Sequence, residues 1–300
     1  MSTSKKEART ERARKVAEMR AAEARAERKR RLAMAGTVVL AVALVAGVLV
    51  YLGLTSSGPS DAASTEAASA AVMKKVGSVP ASTLDSVGSG TTQATIKTIS
   101  APALTKDGKP RVLYVGAEYC PYCAAERWPV VVALSRFGTF SGLGETRSAS
   151  QDVYPNTPTL SFHGATYTSK YLSFTGVETT SNKQTANGYE ALDKLSAADQ
   201  KIFDKYNQPP YVTSGGAIPF IDLGGKYVSS GASYGPDVLT GKTQAQVAST
   251  LSNPDNEIAK AVDGTANSFT AALCDLTGGK PTSVCMSKGV VAATGTVQGQ

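Results

Sequence analysis

Cys120-Pro-Tyr-Cys123 sets two thiols three residues apart, close enough for the sulfurs to close a small ring and reopen it. Thiol–disulfide chemistry runs through the thiolate. A thiolate is stabilised where a helix begins, because the first backbone N–H groups lack partners and the dipole is positive there. A redox-active dithiol is therefore the chemistry these residue types suggest. Half of a zinc site and a purely structural disulfide are the competing readings.

The flanking sequence decides how such a pair would be presented. The run Val112-Leu-Tyr-Val-Gly-Ala117 is apolar without alternation, the pattern of a strand buried on both faces. A helical pattern follows Cys123 through Phe137, with Pro129 inside it, where a kink is expected. Strand, CxxC and helix thus stand in the order that places the first thiol at a helix N-terminus.

Cys274 and Cys285 enclose ten residues that include Gly278, Gly279 and Pro281. Outside a reducing compartment, that spacing reads as a structural disulfide clipping a turn. A second redox pair that relays electrons to Cys120 and Cys123 is the sharper alternative. A four-cysteine zinc site would require the two pairs to converge, and the second pair lacks tight ligand spacing. His163 is the only histidine, which weakens copper chemistry by thiolates plus imidazole and reads as a strand-end residue with a local hydrogen bond. Trp128 reads as core. Nothing resembles a Ser–His–Asp nucleophile or a phosphate-binding glycine loop. No metal and no cofactor beyond the dithiol is called for.

The net charge of +7 resides in one place. Residues 1–31 hold 12 Lys/Arg against 5 Glu, while the remaining chain holds 19 groups of each sign. A basic tail on a neutral body argues against nucleic acid as partner. The next segment, Leu32 to Leu54, runs 23 residues without a charge, long enough for a bilayer-spanning helix. Lys29, Arg30 and Arg31 on its leading side predict an N-terminus in the cytoplasm and the rest of the chain outside. The leader and apolar run are both too long for a cleaved signal peptide. The tail is expected to be solvated and partly helical near anionic lipid headgroups.

Residues 55–90 are rich in Gly, Ser and Ala and read as a flexible linker reaching roughly 30 Å, with one short helix near Ser82–Val87. The folded domain is expected from 91 to 288. Within it, Thr95–Ile99 alternates like a strand. Residues 138–158 read as a loop, and strands are expected at Thr159–His163 and Lys170–Val177. Ser196-Ala-Ala-Asp199 opens a helix. Gly215 to Val228 reads as a strand, a Gly224-Gly225 turn and a second strand. Further helices are expected from Thr243 and from Asn253, with Pro254 in its first position, and a last one ending near Cys274. Residues 289–300 read as a disordered tail.

A strand–CxxC–kinked helix followed by a strand opening at Ile218-Pro219 resembles the thioredoxin-like superfamily. The resemblance implies an α/β domain in which a cis Ile218–Pro219 bond faces Cys120. It also implies that Tyr119, Ile218 and Pro219 contact substrate. Cys123 and Pro219 are 96 residues apart, so the resemblance further implies an insertion over roughly 124–210. Tyr114 stands six residues before Cys120, where thioredoxins carry a buried acid. Glu118 and Glu126 could replace that acid or could simply be solvated. More closely, Gly116–Trp128, Ala133–Gly138 and Asp152–Asn156 resemble an uncharacterised group, domain of unknown function family 929. Its members are membrane-anchored proteins.

These readings converge on a membrane-anchored extracytoplasmic thiol–disulfide oxidoreductase. Cys120 would be the attacking and Cys123 the resolving thiol. The implied partners are exported cysteine-containing proteins, a membrane redox partner and membrane lipid. The same residues leave oxidant, reductant and isomerase open. A reading from another class is a thioredoxin-like interaction or scaffold module of the cell envelope, in which the CPYC disulfide is structural.

Overall fold

The computed structural model describes residues 65–93 and 96–298. The basic tail 1–31 and the apolar span 32–54 lie outside the described residues. Among those described, no helix is long and apolar enough to cross a membrane.

The chain is a mixture of helices and sheets. It opens with β1 (Glu66–Ala67) and two helices, α1 (Ala70–Gly77) and α2 (Ala81–Val87). Strands β2 (Ile96–Thr98), β3 (Thr105–Lys106) and β4 (Lys109–Gly116) precede α3 (Pro121–Ser135). A strand-rich stretch follows: β5 (Gly138–Ser141), β6 (Gly144–Arg147), β7 (Pro158–Ser161), β8 (Thr166–Ser169), β9 (Ser173–Glu178), β10 (Thr180–Thr185) and β11 (Gly188–Ala191). Then come α4 (Ala197–Tyr206), β12 (Phe220–Leu223), β13 (Tyr227–Ser230), α5 (Gln244–Thr250) and α6 (Glu257–Leu276). The described chain closes with α7 (Thr282–Cys285), α8 (Lys288–Ala293) and β14 (Val297–Gln298).

The main sheet has seven strands in the order β14-β2-β13-β12-β4-β3, with β9 also paired to β4. β4 is central, antiparallel to β12 and parallel to β9. Its unbroken apolar run has a direct cause, because both faces are covered. Val112 and Tyr114 join one core with Trp128, Ile221, Tyr227 and Phe269. Leu113 and Val115 join the other with Val177, Tyr206, Phe220 and Val228. The β12–β13 hairpin turns at Gly224 and Gly225, with φ of 67° and 72°, a region open to glycine without strain. The Asp222 carboxylate accepts the Gly225 N–H at 2.7 Å and closes the turn.

Several expected boundaries move. Residues 55–90 are not linker throughout. From Ala70 the chain is helical, and Val72, Val76 and Leu84 are buried in the main core. Residues 289–298 likewise form regular elements, where a disordered tail is expected. Val290 and Ala293 are buried in α8, and Val297 pairs β14 to β2 in parallel register. The expected loop 138–158 contains β5 and β6, whose alternation is carried by polar as well as apolar residues, Thr146 among them. The helix expected from Asn253 begins at Glu257, because the Asn256 side chain accepts the Ile258 N–H and takes the capping role. The caps at Ser196 and Thr243 are formed, the latter as a capping box with Gln246.

Candidate functional site

β4 ends at Gly116 and delivers the chain, through Ala117–Tyr119, to the start of α3. Cys120 is the N-cap of that helix and Pro121 its first residue, where a missing N–H costs nothing. The Cys123 N–H donates to Cys120 Sγ at 3.2 Å. Cys120 Sγ also lies 3.8 Å from the carbonyl oxygen of Ile218, and the Ile218–Pro219 bond is cis. Cys120, Cys123, Ile218 and Pro219 are thus brought together from β4–α3 and from the segment that leads into β12. Both sulfurs are free thiols. Cys120 is 5% exposed and Cys123 0% exposed, so only the first residue reaches the surface, and by a small margin.

The surroundings separate the two thiols electrostatically. Cys120 is held below the ordinary thiol value, first by its hydrogen bond with the Cys123 side chain and then by the Cys123 N–H and the positive Arg127. Burial opposes this without reversing it. Cys123 is pushed well above the ordinary value, chiefly by burial. The surroundings thus make Cys120 the more acidic thiol of the pair and Cys123 the one that holds its proton more tightly.

Arg127 follows Cys123 by four residues, one turn along the same helix face. It is fully buried and forms a forked ion pair with Glu178, Nε to Oε1 at 2.8 Å and Nη2 to Oε2 at 2.6 Å. Nη2 also donates to the Ala117 carbonyl at 2.7 Å, the same oxygen that accepts the Cys120 N–H at 3.3 Å. The turn carrying Cys120 is thereby tied to a fixed cation. The guanidinium lies 5.9 Å from the Tyr114 ring centroid. Tyr114 is fully buried, packs edge-on against Phe162, and keeps a hydroxyl with no partner in the described structure. Desolvation raises its pKa well above the phenol value, so it stays neutral behind the dithiol.

Neither acid near the motif is solvated. Glu118 is buried and accepts from Ser161 Oγ at 2.5 Å and Thr65 Oγ1 at 2.9 Å. Glu126 is buried and accepts the Ser233 N–H at 2.8 Å and its hydroxyl at 2.6 Å. Burial raises Glu126 to about 7 in spite of those two bonds. Both carboxylates are engaged with neighbouring chain segments and join the domain together around the CPYC turn. Pro129 leaves the Ala125 carbonyl without its helical donor, and the Tyr234 hydroxyl fills that vacancy at 2.6 Å.

Aromatic residues border the turn. Tyr119 stacks on Tyr189 of β11 with ring centroids 4.2 Å apart and planes 2° from parallel. Tyr122 is 41% exposed and meets Tyr154 edge-on. Cys274 and Cys285 are joined in a disulfide at the far end of α6. His163 Nδ1 lies 2.8 Å from Asp193 Oδ1 on the surface, and Trp128 is core, donating to the Pro158 carbonyl at 3.0 Å. Arg127, Glu178, Tyr189 and Ser233 were not singled out by sequence reasoning. The available signal was a charged Glu126-Arg127 pair in an otherwise apolar helix, together with an acid closing the apolar strand at Glu178.

Residues 95–275, more than half of the chain, match the family described as Domain of unknown function (DUF929). The chain belongs to this family. No curated protein and no solved structure matches it. The matched segment spans the CPYC motif, the strand-rich stretch, the Ile218–Pro219 segment and almost all of α6, so the site lies wholly within the DUF929 domain.

Proposed function

We propose that this DUF929 domain is an elaborated thioredoxin-like module. In this reading it catalyses thiol–disulfide exchange on cysteines of exported proteins, anchored by residues 32–54 on the outer side of a membrane. The observation that carries the reading is the asymmetry of the dithiol. Cys120 caps a helix, receives the Cys123 N–H and faces the Ile218 carbonyl, while Cys123 lies buried behind it. The parallel β9–β4 and antiparallel β4–β12 pairings around the motif support the fold assignment. The uncharged 32–54 run and its basic leading flank support the anchor. The closed Cys274–Cys285 bond is in keeping with an oxidising compartment.

In the reducing direction, the Cys120 thiolate attacks one sulfur of a substrate disulfide. A mixed disulfide forms, and the other substrate sulfur leaves as a thiolate that takes up a proton. Cys123 then loses its proton and attacks Cys120 Sγ. The mixed bond breaks, the second substrate thiol departs, and a Cys120–Cys123 disulfide remains. Two electrons have passed to the substrate. The reverse sequence oxidises a substrate dithiol. Either direction requires a membrane redox partner that restores the starting state, either a quinone-linked oxidase or a carrier of reductant. Tyr119, Ile218 and Pro219 would border the substrate chain.

One observation favours the scaffold reading, in which the CPYC bond is structural: Cys120 is only 5% exposed. Trapping separates the two. With Cys123→Ser in the full chain, the exchange reading expects mixed disulfides to accumulate through Cys120 on exported proteins. An untrapped Cys120 that resists alkylation until the domain unfolds would assign it to the scaffold class.

A further inference from the structure

Arg136 is the C-cap residue of α3, at the opposite end of that helix from Cys120. Its guanidinium has no ion pair among the described residues. Its partners are all neutral: Nη1 donates to Asn267 Oδ1 at 2.9 Å and Thr270 Oγ1 at 3.3 Å, and Nη2 to Ser287 Oγ at 3.0 Å. Among the described residues, Nε meets no acceptor and Nη2 none besides Ser287. Two acids lie within electrostatic reach, Asp85 and Asp263. The first spends Oδ1 on the Gly289 N–H at 2.8 Å. The second is buried with neither oxygen partnered, and burial raises it to about 8, so it is largely uncharged at neutral pH. Arg136 is lowered to about 10 by burial and remains charged.

Arg136 lines a cavity of about 290 Å³ between α1, α2, the end of α3 and the segment carrying α7. Val76, Leu84, Val132 and Val284 form an apolar wall, and Ser283 and Ser287 add hydroxyls beside the guanidinium. The wall at Ser283 and Val284 lies within the turn that the Cys274–Cys285 bond closes. A cavity of this size suits a small ligand. A guanidinium with no direct ion pair among the described residues suits a planar anion held by two parallel N–H bonds. The apolar wall suits a short hydrocarbon body.

We propose that this cavity is a binding site for a small amphiphilic carboxylate, with the carboxylate on Arg136 and Ser287 and the hydrocarbon against Val76, Leu84, Val132 and Val284. The site is independent of the dithiol and of the exchange reading.

The probe is hexanoate, titrated against the full chain in lipid nanodiscs with empty discs as blank and followed by NMR line broadening. Saturable binding at one site per chain is expected. Hexanol, which keeps the hydrocarbon and lacks the charge, and the Arg136→Gln protein with hexanoate should each show binding weaker by about tenfold or more. Should Arg136→Gln unfold, Val284→Phe fills the apolar wall and should abolish binding in a folded protein with Arg136 intact. The proposal is overturned if hexanol binds as well as hexanoate. It is equally overturned if Val284→Phe or a folded Arg136→Gln binds as the natural chain does, or if no saturable hexanoate binding occurs.

Discussion

Cys120 and Cys123 stand unjoined at the N-terminal end of one helix, whereas Cys274 and Cys285 are joined across a turn beyond the C-terminal end of another. The first pair has a buried cation one turn away, an N–H aimed at the outer sulfur and a facing carbonyl. Among the described residues, the second pair has none of these groups. Its neighbours are a glycine turn and a hydroxyl, Thr277, that caps carbonyls of the chain around it. Spacing alone does not distinguish a reactive pair from an inert one. What differs is whether the surrounding groups stabilise one thiolate selectively.

The largest effect that would break this comparison is a loss of exchange. Cys120→Ser should reduce disulfide exchange by the full chain to the uncatalysed background, while Cys274→Ala/Cys285→Ala should leave it unchanged. Comparable losses in both would erase the distinction between the pairs. Next in size, Arg127→Met should destabilise the domain by about 3–5 kcal/mol, because Glu178 is left as an uncompensated buried charge. In any folded population, Cys120 should also alkylate at a higher pH, since the positive neighbour that lowers its pKa is gone. Denaturant unfolding and pH-dependent alkylation check the two parts. Replacing both cysteines of the clip should cost about 3 kcal/mol through the freed loop entropy, measured by the same unfolding.

The smallest effect concerns pH. Glu126 and Asp263 have folded-state values of about 7 and about 8, above their unfolded values. Between the unfolded and folded values the native state binds more protons, so stability falls as pH rises. With the Cys120–Cys123 pair oxidised, unfolding should show a loss on the order of 1–2 kcal/mol from pH 7 to pH 8. Asp263→Asn should flatten the upper part of that fall. A profile that rises over the same range would contradict the burial of these two carboxyls.

The elements around the CPYC motif were legible because each carries a local signal. β4 shows an uninterrupted apolar run, α3 a helical pattern after a proline at its first position, and the β12–β13 hairpin a double glycine. Caps at Ser196 and Thr243 were equally local. What stayed hidden depends on distant partners. Helix α1 looks like linker because Val72 and Val76 acquire meaning only against α3 and α5, whereas α2 forms where a short helix is expected near Ser82–Val87. Arg127 and Glu178 are 51 positions apart, and no local pattern pairs them. Glu118 and Glu126 could not be assigned as buried until Ser161, Thr65 and Ser233 were seen to satisfy them. The anchor at 32–54 rests on sequence alone.

The most direct test is the reduction potential of each cysteine pair in the full chain, read by mass mapping over a graded redox buffer. The account predicts that Cys120–Cys123 opens at a potential above about −300 mV while Cys274–Cys285 is still closed. Joint opening of both pairs below about −300 mV would contradict it and make the CPYC bond structural.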